Sequence, residues 1–408
     1  MNEKKLQQYA ELIVKQGIRV LKGEEVWINA SVQNHHFATL IVEECYKVGA
    51  RFVKVDWDND ETTHLNLKYA TIAELGKVPP YQIAKLKYQT KKLPSRLYID
   101  DSDPDAFKDI NPMKIAKIQM KSYPKIKPYR DMIDGKYKWC IVAVPSLSWA
   151  KKVFPNLSDE EAMEKLWDAI FFTCRVKEEK TSENWDKHNA YLMEKRNLLK
   201  SLDLRYLEYK SSNGTNFKVE LIKGMNWGAG VEKTTFGKEF SPNIPTEEVF
   251  TTPLRGTGDG LVVATKPLSY RGQLIEDFSI RFEKGHAVEV KARKGQKALE
   301  QMIKMDPNAS MLGECALVPF TSPINQSNIL FYNTLFDENA VCHLALGMGF
   351  KELLPDGDKL TPEQAMEKGV NDSMIHVDFM IGAADLEIVG ESFNGKRTVL
   401  FKNGVWAI

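Results

Sequence analysis

The hydrophobic pattern of this 408-residue chain changes near residue 200, and this change restricts the folds that the chain can adopt. Before that point, the short apolar runs 25–30 and 51–57 flank residues 36–50, which have the periodicity of a helix. A strand, a helix and a strand in this order form a βαβ unit, whose two strands pair in parallel. The first part of the chain therefore predicts an α/β domain with a parallel sheet.

Beyond residue 200, strand patterns follow one another and are separated by glycines. Residues 204–221 have the pattern of a hairpin that turns at Asn213 and Gly214. A chain of this length is also longer than one hydrophobic core usually supports. We therefore expect an N-terminal α/β domain, residues 1–200, and a C-terminal α+β domain with a largely antiparallel sheet, residues 201–408.

The charge balance argues against nucleic acid as a partner. The 56 basic and 55 acidic side chains nearly cancel, and a nearly neutral surface does not attract polyanions in general. Residues 114–130 are locally basic and contain tyrosines, which would also suit RNA. A solvated connection between elements explains this stretch more simply, and we expect no nucleic-acid partner.

Neither a membrane helix nor a targeting peptide is predicted. The longest charge-free run, residues 315–336, contains two prolines, and the N-terminal residues resemble an amphipathic helix without an apolar signal core. The five cysteines are odd in number, scattered and free of CxxC pairs, as is typical of reduced thiols that serve in packing. We therefore expect a cytoplasmic protein with no membrane partner.

Two of the seven histidines, His343 and His376, lie in apolar runs. Asp378 follows His376 by two positions, and alternate positions of a strand share one face. A carboxylate in an apolar setting needs compensation by a hydrogen bond, by a lysine or arginine, or by a metal ion. A histidine in an apolar run is often an ordinary core residue, so the residues by themselves leave both interpretations open.

Three glutamates also lie in or beside apolar segments. Glu314 lies within a strand pattern, and Glu248 lies where a proline-containing loop meets a strand. Glu338 precedes His343 by five positions, a spacing that faces opposite ways on a helix or a strand unless a turn at residues 337–339 reorients the chain. With His376 and Asp378, such side chains would suit two divalent ions such as Zn²⁺, Co²⁺ or Mn²⁺.

Four blocks of the sequence resemble, in this order, the signature blocks of the thermophilic aminopeptidase family, peptidase family M29, the group of aminopeptidase T, aminopeptidase S and PepS. The blocks are NIPTEEVFTTP (243–253), LGECALVP (312–319), FYNTLFDENAVCHLALG (331–347) and IHVDFMIG (375–382). The resemblance covers essentially the whole chain, and four separate blocks are far more specific than one short motif.

The resemblance implies a two-domain metallo-exopeptidase that forms a homodimer and holds two divalent ions per subunit, Zn²⁺, Co²⁺, Mn²⁺ or Mg²⁺, in its C-terminal domain. The residues that match the family's metal ligands are Glu248, Glu314, Glu338, His343, His376 and Asp378. Of the two adjacent glutamates in the first block, Glu248 is the expected ligand. Because adjacent strand positions face apart, Glu247 is expected to face solvent.

The resemblance also implies hydrolysis by a metal-activated water, with Glu314 as the proton shuttle, of short peptides whose free N-terminus binds at one of the ions. Many members carry a tyrosine seven residues after the histidine of the third block, where this chain has Phe350. Phenylalanine cannot donate a hydrogen bond. Either another donor, such as Tyr332 or a backbone N–H, contacts the developing oxyanion, or the enzyme relies more on its metals.

Two other functions fit the same residues. One is a different dinuclear hydrolase, an amidase or a phosphoesterase, on the same scaffold. The other is a homodimeric protein that binds peptides without cleaving them. The second is less favoured, because all six ligand positions hold residues that can bind metal.

Overall fold

The computed structural model describes residues 2–101, 103–270 and 272–408. Most of the longer α-helices lie in the first half of the chain. Numbered along the chain, the α-helices are α1 (Glu3–Leu12), α2 (His35–Lys47), α3 (Asp60–Tyr69), α4 (Ile72–Leu75), α5 (Pro80–Lys92), α6 (Pro112–Ile133), α7 (Leu147–Val153), α8 (Asp159–Thr173), α9 (Thr181–Ser201), α10 (Gln296–Met302), α11 (Pro323–Gln326), α12 (Thr334–Asp337) and α13 (Pro362–Glu367). In the described parts of the chain, no helix is both long and apolar enough to span a membrane.

The strands lie mostly in the second half. Numbered along the chain, they are β1 (Glu25–Ser31), β2 (Phe52–Asp58), β3 (Ser95–Asp100), β4 (Trp139–Ala143), β5 (Leu204–Lys210), β6 (Asn216–Glu220), β7 (Gly228–Ala229), β8 (Glu232–Lys233), β9 (Glu239–Phe240), β10 (Asn243–Ile244), β11 (Val249–Thr251), β12 (Asp259–Val263), β13 (Leu268–Tyr270), β14 (Gln273–Glu283), β15 (His286–Lys294), β16 (Leu312–Leu317), β17 (His343–Gly347), β18 (His376–Met380), β19 (Glu387–Ser392), β20 (Arg397–Lys402) and β21 (Val405–Trp406).

Internal contacts divide the chain into two compact units. The first contains Met1–Asp186 and Val231–Ile244, and the second contains Lys187–Gly230 and Pro245–Ile408. The domain boundary predicted near residue 200 stays a prediction.

The first unit is built on a parallel sheet with the strand order β10-β4-β3-β1-β2. The predicted βαβ unit is confirmed: β1 and β2 pair in parallel, and α2 connects them. The short strand β10 returns from far along the chain to pair in parallel with β4. The basic residues 114–130, which we expected to form a solvated connection, belong instead to the helix α6.

The second unit contains two main sheets, and their strand pairs are antiparallel. One has five strands in the order β18-β17-β16-β11-β7. The other has nine strands, eight of them in the order β13-β14-β12-β6-β5-β19-β20-β21 and the ninth, β15, paired to β14. The predicted hairpin of β5 and β6 is confirmed. The structure therefore confirms the expected fold class, a parallel α/β part together with a largely antiparallel α+β part, and the candidate metal ligands lie in the latter.

Helix α8 shows how the sequence specifies a helix start. The Ser158 side chain accepts a hydrogen bond from the backbone N–H of Glu161 at 3.3 Å. The carboxylate of Glu161 in turn accepts from the backbone N–H of Ser158 at 3.0 Å. Together the two bonds form a capping box, which satisfies two backbone donors that the first turn of a helix leaves unpaired.

We expect Ser158→Ala to lower the free energy of unfolding by about 1 kcal/mol, because the N–H of Glu161 loses its acceptor. Glu161→Gln is the matched control, since glutamine can still accept from Ser158 in a capping box. Chemical denaturation followed by circular dichroism measures both variants. Equal losses in the two variants would contradict this account of the helix start.

Candidate metal centre

Strands β16, β17 and β18 are neighbours in the five-stranded sheet, and their side chains alternate between two faces. One face packs into the hydrophobic core of the second unit. It carries Cys315 and Leu317 from β16, Leu344 and Leu346 from β17, and Val377 and Phe379 from β18.

The other face carries the candidate ligands Glu314, His343, His376 and Asp378, so the prediction that His376 and Asp378 share a face is confirmed. Ala345 lies between two of them, because its cross-strand partners are Glu314 in β16 and Asp378 in β18. Residues directly opposite each other on neighbouring strands have Cβ atoms about 5 Å apart. The small side chain of Ala345 thus leaves space between the two carboxylates.

Both histidine rings are oriented by a backbone carbonyl. Nδ1 of His343 lies 3.3 Å from the carbonyl oxygen of Val341, and Nδ1 of His376 lies 2.7 Å from that of Met348. Because a carbonyl oxygen only accepts, Nδ1 carries the hydrogen in each ring. Nε2 is then the nitrogen available to a metal, and a ligating histidine is usually held by such a bond from its other nitrogen.

Each Nε2 points at carboxylate oxygens. In His343, Nε2 lies 3.2 Å from Oε2 of Glu248. In His376, Nε2 lies 3.2 Å from Oε2 of Glu314 and 3.3 Å from Oδ1 of Asp378. Glu314 therefore belongs to two groups of three donors, one with Glu248 and His343 and one with His376 and Asp378, and in each group the ligand atoms lie within 4.8 Å of one another.

Glu248 joins the cluster from outside the three strands, whereas Glu338, also outside them, belongs to neither group of donors. Glu248 directly precedes β11, whose first residue Val249 packs in the core, so its own side chain faces the ligands. Glu338 begins a 3₁₀-helix, Glu338–Ala340, immediately after α12. A tight turn that could reorient the chain between Glu338 and His343 is thus present. The Glu338 carboxyl interacts electrostatically with Asp378, Glu248 and Glu314.

The fully buried Asn339 ties these two segments together. Its Oδ1 accepts a hydrogen bond from the backbone N–H of Glu247 at 2.8 Å. Its Nδ2 donates to Oε1 of Glu338 at 3.3 Å and to the carbonyl of Leu335 at 3.2 Å. One amide side chain therefore fixes the segment that carries Glu248 against the turn that carries Glu338. Asn339 lies within the third sequence block, but its residue type and spacing did not indicate this role.

Burial, together with the crowding of carboxylates, raises the pKa of Glu314 and of Glu338. Burial raises the pKa of Glu314 to about 7; the hydrogen bond with His376 opposes this shift, and the charges of Glu248 and Asp378 add to it. Burial and the charges of Asp378 and Glu248 raise the pKa of Glu338 well above its ordinary value. These two carboxyl groups thus hold protons more tightly than free glutamates do.

The histidines respond to the same charges. Burial by itself would lower the pKa of His343, but the hydrogen bond and the charge of Glu248 raise this pKa to about 9. The charges of Asp378 and Glu314 likewise raise the pKa of His376 well above its ordinary value, against the effect of burial. Burial would raise the pKa of Asp378, but the charge of His376 holds it well below its usual range.

The donor set fits divalent cations. Within residues 2–101, 103–270 and 272–408, no lysine or arginine forms an ion pair with any of the four carboxylates. Oδ1 of Asp378 is buried and accepts no well-aligned hydrogen bond, although Nε2 of His376 lies 3.3 Å away. A single N–H of His376 cannot serve both Glu314 and Asp378, whereas a cation attracts both. Carboxylates with imidazoles suit borderline ions such as Zn²⁺, Co²⁺ and Mn²⁺.

The expectation that Glu247 faces solvent is wrong. Its side chain is buried, and its Oε1 lies 3.9 Å from Nε2 of His188 on α9. That same Nε2 donates to the carbonyl of Thr246 at 2.7 Å. Strand alternation correctly predicts that Glu247 points away from Glu248. The side to which Glu247 points is covered by α9 and is not open to solvent. The sequence did not reveal this, because His188 lies in a polar stretch that is typical of an exposed helix.

Phe350 lies beside the cluster. It occupies the position at which the family resemblance led us to expect a tyrosine. The centroid of its ring is 5.1 Å from that of His376 and 5.0 Å from that of Phe250. Its backbone N–H donates to Oγ1 of the buried Thr252 at 2.8 Å. The residue therefore contacts a candidate ligand through an apolar ring and offers it no hydrogen bond.

Comparison with known proteins gives a family for this arrangement. The model of the family described as thermophilic metalloprotease (M29) matches residues 2–406. Aminopeptidase AmpS of Bacillus subtilis is 40% identical over 404 residues, which cover 99% of this chain and 98% of the relative. Aminopeptidase T of Thermus thermophilus is 36% identical over 410 residues, which cover 100% and 99%.

Solved structures agree with the sequence relatives. Wild-type AmpT from Thermus thermophilus superimposes with a TM-score of 0.91 at 35% identity over 100% of both chains. A 2,5-dihydroxypyridine dioxygenase from Pseudomonas putida, with a TM-score of 0.54 and 12% identity over 100% of this chain and 99% of that one, shares the fold alone. The chain thus belongs to the thermophilic metalloprotease family (M29), and it is a hydrolase of the metallopeptidase class.

Proposed function

We propose that this protein is an aminopeptidase, which hydrolyses the N-terminal residue from short peptides with the help of two divalent metal ions. The ligands would be Glu248, Glu314, Glu338, His343, His376 and Asp378. The observation that carries the proposal is the position of Glu314, which belongs to two adjacent groups of donor atoms. The substrate class rests on the relatives, which are named aminopeptidases.

A carboxylate shared by two donor groups favours two ions over one. Glu248 and His343 form one group of donors with Glu314, and His376 and Asp378 form the other. Two neighbouring metal sites of this kind are common in metal-dependent hydrolases. The two histidines are the only basic side chains that pair with these carboxylates in the described residues, so divalent ions would balance the remaining negative charge.

The bound ions would polarise the scissile carbonyl and make a water molecule acidic enough to attack it near neutral pH. We assign proton transfer to Glu314. A carboxylate in this position can take a proton from the attacking water and return it to the nitrogen of the leaving amine. Glu314 would hold both roles, as a ligand and as the proton carrier.

The negative charge of the cluster also suits the free α-amine of a peptide. Glu338 and Asp378 are acceptors without a lysine or arginine partner among the described residues, and an ammonium or amine donates to such oxygens. A substrate with a blocked N-terminus could not make these contacts. This preference would limit hydrolysis to the first residue.

We extend the proposal to the cellular setting and the assembly. The five cysteines are buried and free, which suits a reducing, cytoplasmic compartment. We also propose a homodimer, and this part of the proposal is based on the family resemblance.

Hydrolysis of aminoacyl anilides and dipeptides tests the function. We expect turnover only of substrates with a free amine, loss of turnover on chelation, recovery with Zn²⁺, Co²⁺, Mn²⁺ or Mg²⁺, and two ions per subunit by metal analysis. Activity restricted to phosphate esters or blocked amides would support the rival hydrolase. A metal-loaded protein that retains peptides intact would support the non-catalytic binder.

We expect Glu314→Gln to lower kcat at least 100-fold, because an amide cannot carry the proton from water to the leaving amine. Glu367→Gln, the same change at an exposed position of α13, is the control. Steady-state kinetics at saturating metal measure the effect, and circular dichroism confirms folding. A wild-type rate in Glu314→Gln would remove this residue from the mechanism.

Metal binding should strengthen between about pH 7 and pH 9. Without metal, Glu314 and His343 hold protons up to pH values of about 7 and about 9, and those protons must leave before the ligands bind a cation. Calorimetric titration in buffers of different ionisation enthalpy would report the released protons. An affinity that does not change with pH would contradict the assignment of these two ligands.

The stability of the metal-free protein follows from the same shifts. The pKa of His343 is raised from 6.5 to about 9 in the folded state, so its stabilising effect is complete below about pH 6.5 and is lost as the pH rises through 9. The raised pKa of Glu314 acts in the same direction between its ordinary 4.5 and about 7. Thermal unfolding of chelated protein should therefore occur at lower temperature at pH 9 than at pH 6.5, and added metal should reverse the loss.

A further inference from the structure

A strip of three rings extends across the sheet face that carries the candidate ligands. It begins at His376, continues to Phe350 at a centroid distance of 5.1 Å, and ends at Phe250, 5.0 Å further on. All three side chains are partly exposed. The strip is therefore an apolar surface that adjoins the carboxylate cluster and remains open to a ligand.

The position of Phe250 follows from the pairing of β11. It lies two residues after Glu248, so both side chains face the same side of the sheet. One cross-strand neighbour is Ala316, and the other is Gly228 in β7. A Cβ atom at Gly228 would lie 2.4 Å from Cζ of Phe250. The ring therefore lies over the bare backbone of β7, and the glycine creates the space for it.

A hydrogen bond of its backbone N–H fixes the position of Phe350. Its N–H donates to Oγ1 of Thr252 at 2.8 Å, and Thr252 is fully buried. The ring is thereby held between Phe250 and His376. A rigid wall of this kind binds an apolar side chain with little loss of conformational entropy in the protein.

We propose that Phe250 and Phe350 form the subsite for the side chain of the peptide's first residue, and that this subsite selects large apolar side chains. The inference rests on the proposed aminopeptidase function. In such a reaction the amine and the carbonyl carbon of the first residue are both held at the cluster. Its side chain starts from the carbon between them, about 1.5 Å from each, and therefore begins at the cluster, which the strip of rings adjoins at His376. A leucine or phenylalanine side chain extends from there towards the rings, whereas an alanine side chain ends at its Cβ atom.

The test compares kcat/KM for dipeptides that differ only in the first residue. We expect the wild-type enzyme to prefer leucine, phenylalanine and norleucine over alanine by at least about tenfold, since each buried methylene contributes about tenfold or more to discrimination. Norleucine against lysine, which has a similar length, separates apolar packing from attraction of a cation to the rings. Preference for lysine over norleucine would overturn the proposal.

Variants locate the preference in the two rings. In Phe250→Ala the ratio of kcat/KM for phenylalanine to alanine should fall about tenfold, with a smaller fall in Phe250→Leu. Phe393→Leu is the matched control, because Phe393 is also partly exposed but follows β19 in the nine-stranded sheet. Metal content is measured for each variant, and Phe350→Leu is informative if it retains its metal.

The outcomes separate this inference from the proposed function. A ratio that stays at the wild-type value in Phe250→Ala, with metal content intact, would overturn the subsite. The subsite would also be overturned if kcat/KM depended on the second residue of the dipeptide and not on the first. A wild-type enzyme that cleaves no substrate with a free amine would instead refute the aminopeptidase proposal itself.

Discussion

Four carboxylates converge on one face of a buried sheet, and this concentration of negative charge is the constraint on which the rest of the site depends. Two unit charges 4 Å apart repel by about 4 kcal/mol at the effective dielectric constant of a protein surface. Glu314 and Asp378 lie within 3.3 Å of the same ring nitrogen of His376, and Glu248 lies 3.2 Å from His343. The only basic side chains that pair with them in the described residues are His343 and His376. Protons held by imidazoles and by Glu314 offset part of the charge in the metal-free protein, and divalent cations would offset it more completely.

The same three strands make both the core and the site. Leu344, Leu346 and Phe379 pack on one face, and the rigid packing of that face determines where His343, His376 and Asp378 point on the other. This design explains why Ala345 lies between Glu314 and Asp378, since a larger side chain would fill the space between their carboxylates. Positions that look like ordinary small core residues therefore shape a polar site.

Several features could be predicted from local pattern. The parallel first part, the antiparallel second part and the hairpin of β5 and β6 were confirmed, because each depends on a periodicity within one short segment. The common face of His376 and Asp378 follows from strand alternation in the same way. The solvent-facing position of Glu247 was wrong, since alternation says which way a side chain points and not what covers it. Helix α9 covers it with His188.

The sequence by itself determined the residue types and the alternation that separate a polar from an apolar face in β16, β17 and β18. Only the tertiary structure decided which distant segments meet there. Asn339 ties the Glu248 segment to the turn at Glu338, and the two-residue strand β10 pairs with β4 across about one hundred residues of chain, without any periodic signal. The physical reason is that periodicity records contacts along a strand or helix, whereas hydrogen bonds and packing between segments far apart in the chain leave no pattern in either segment alone.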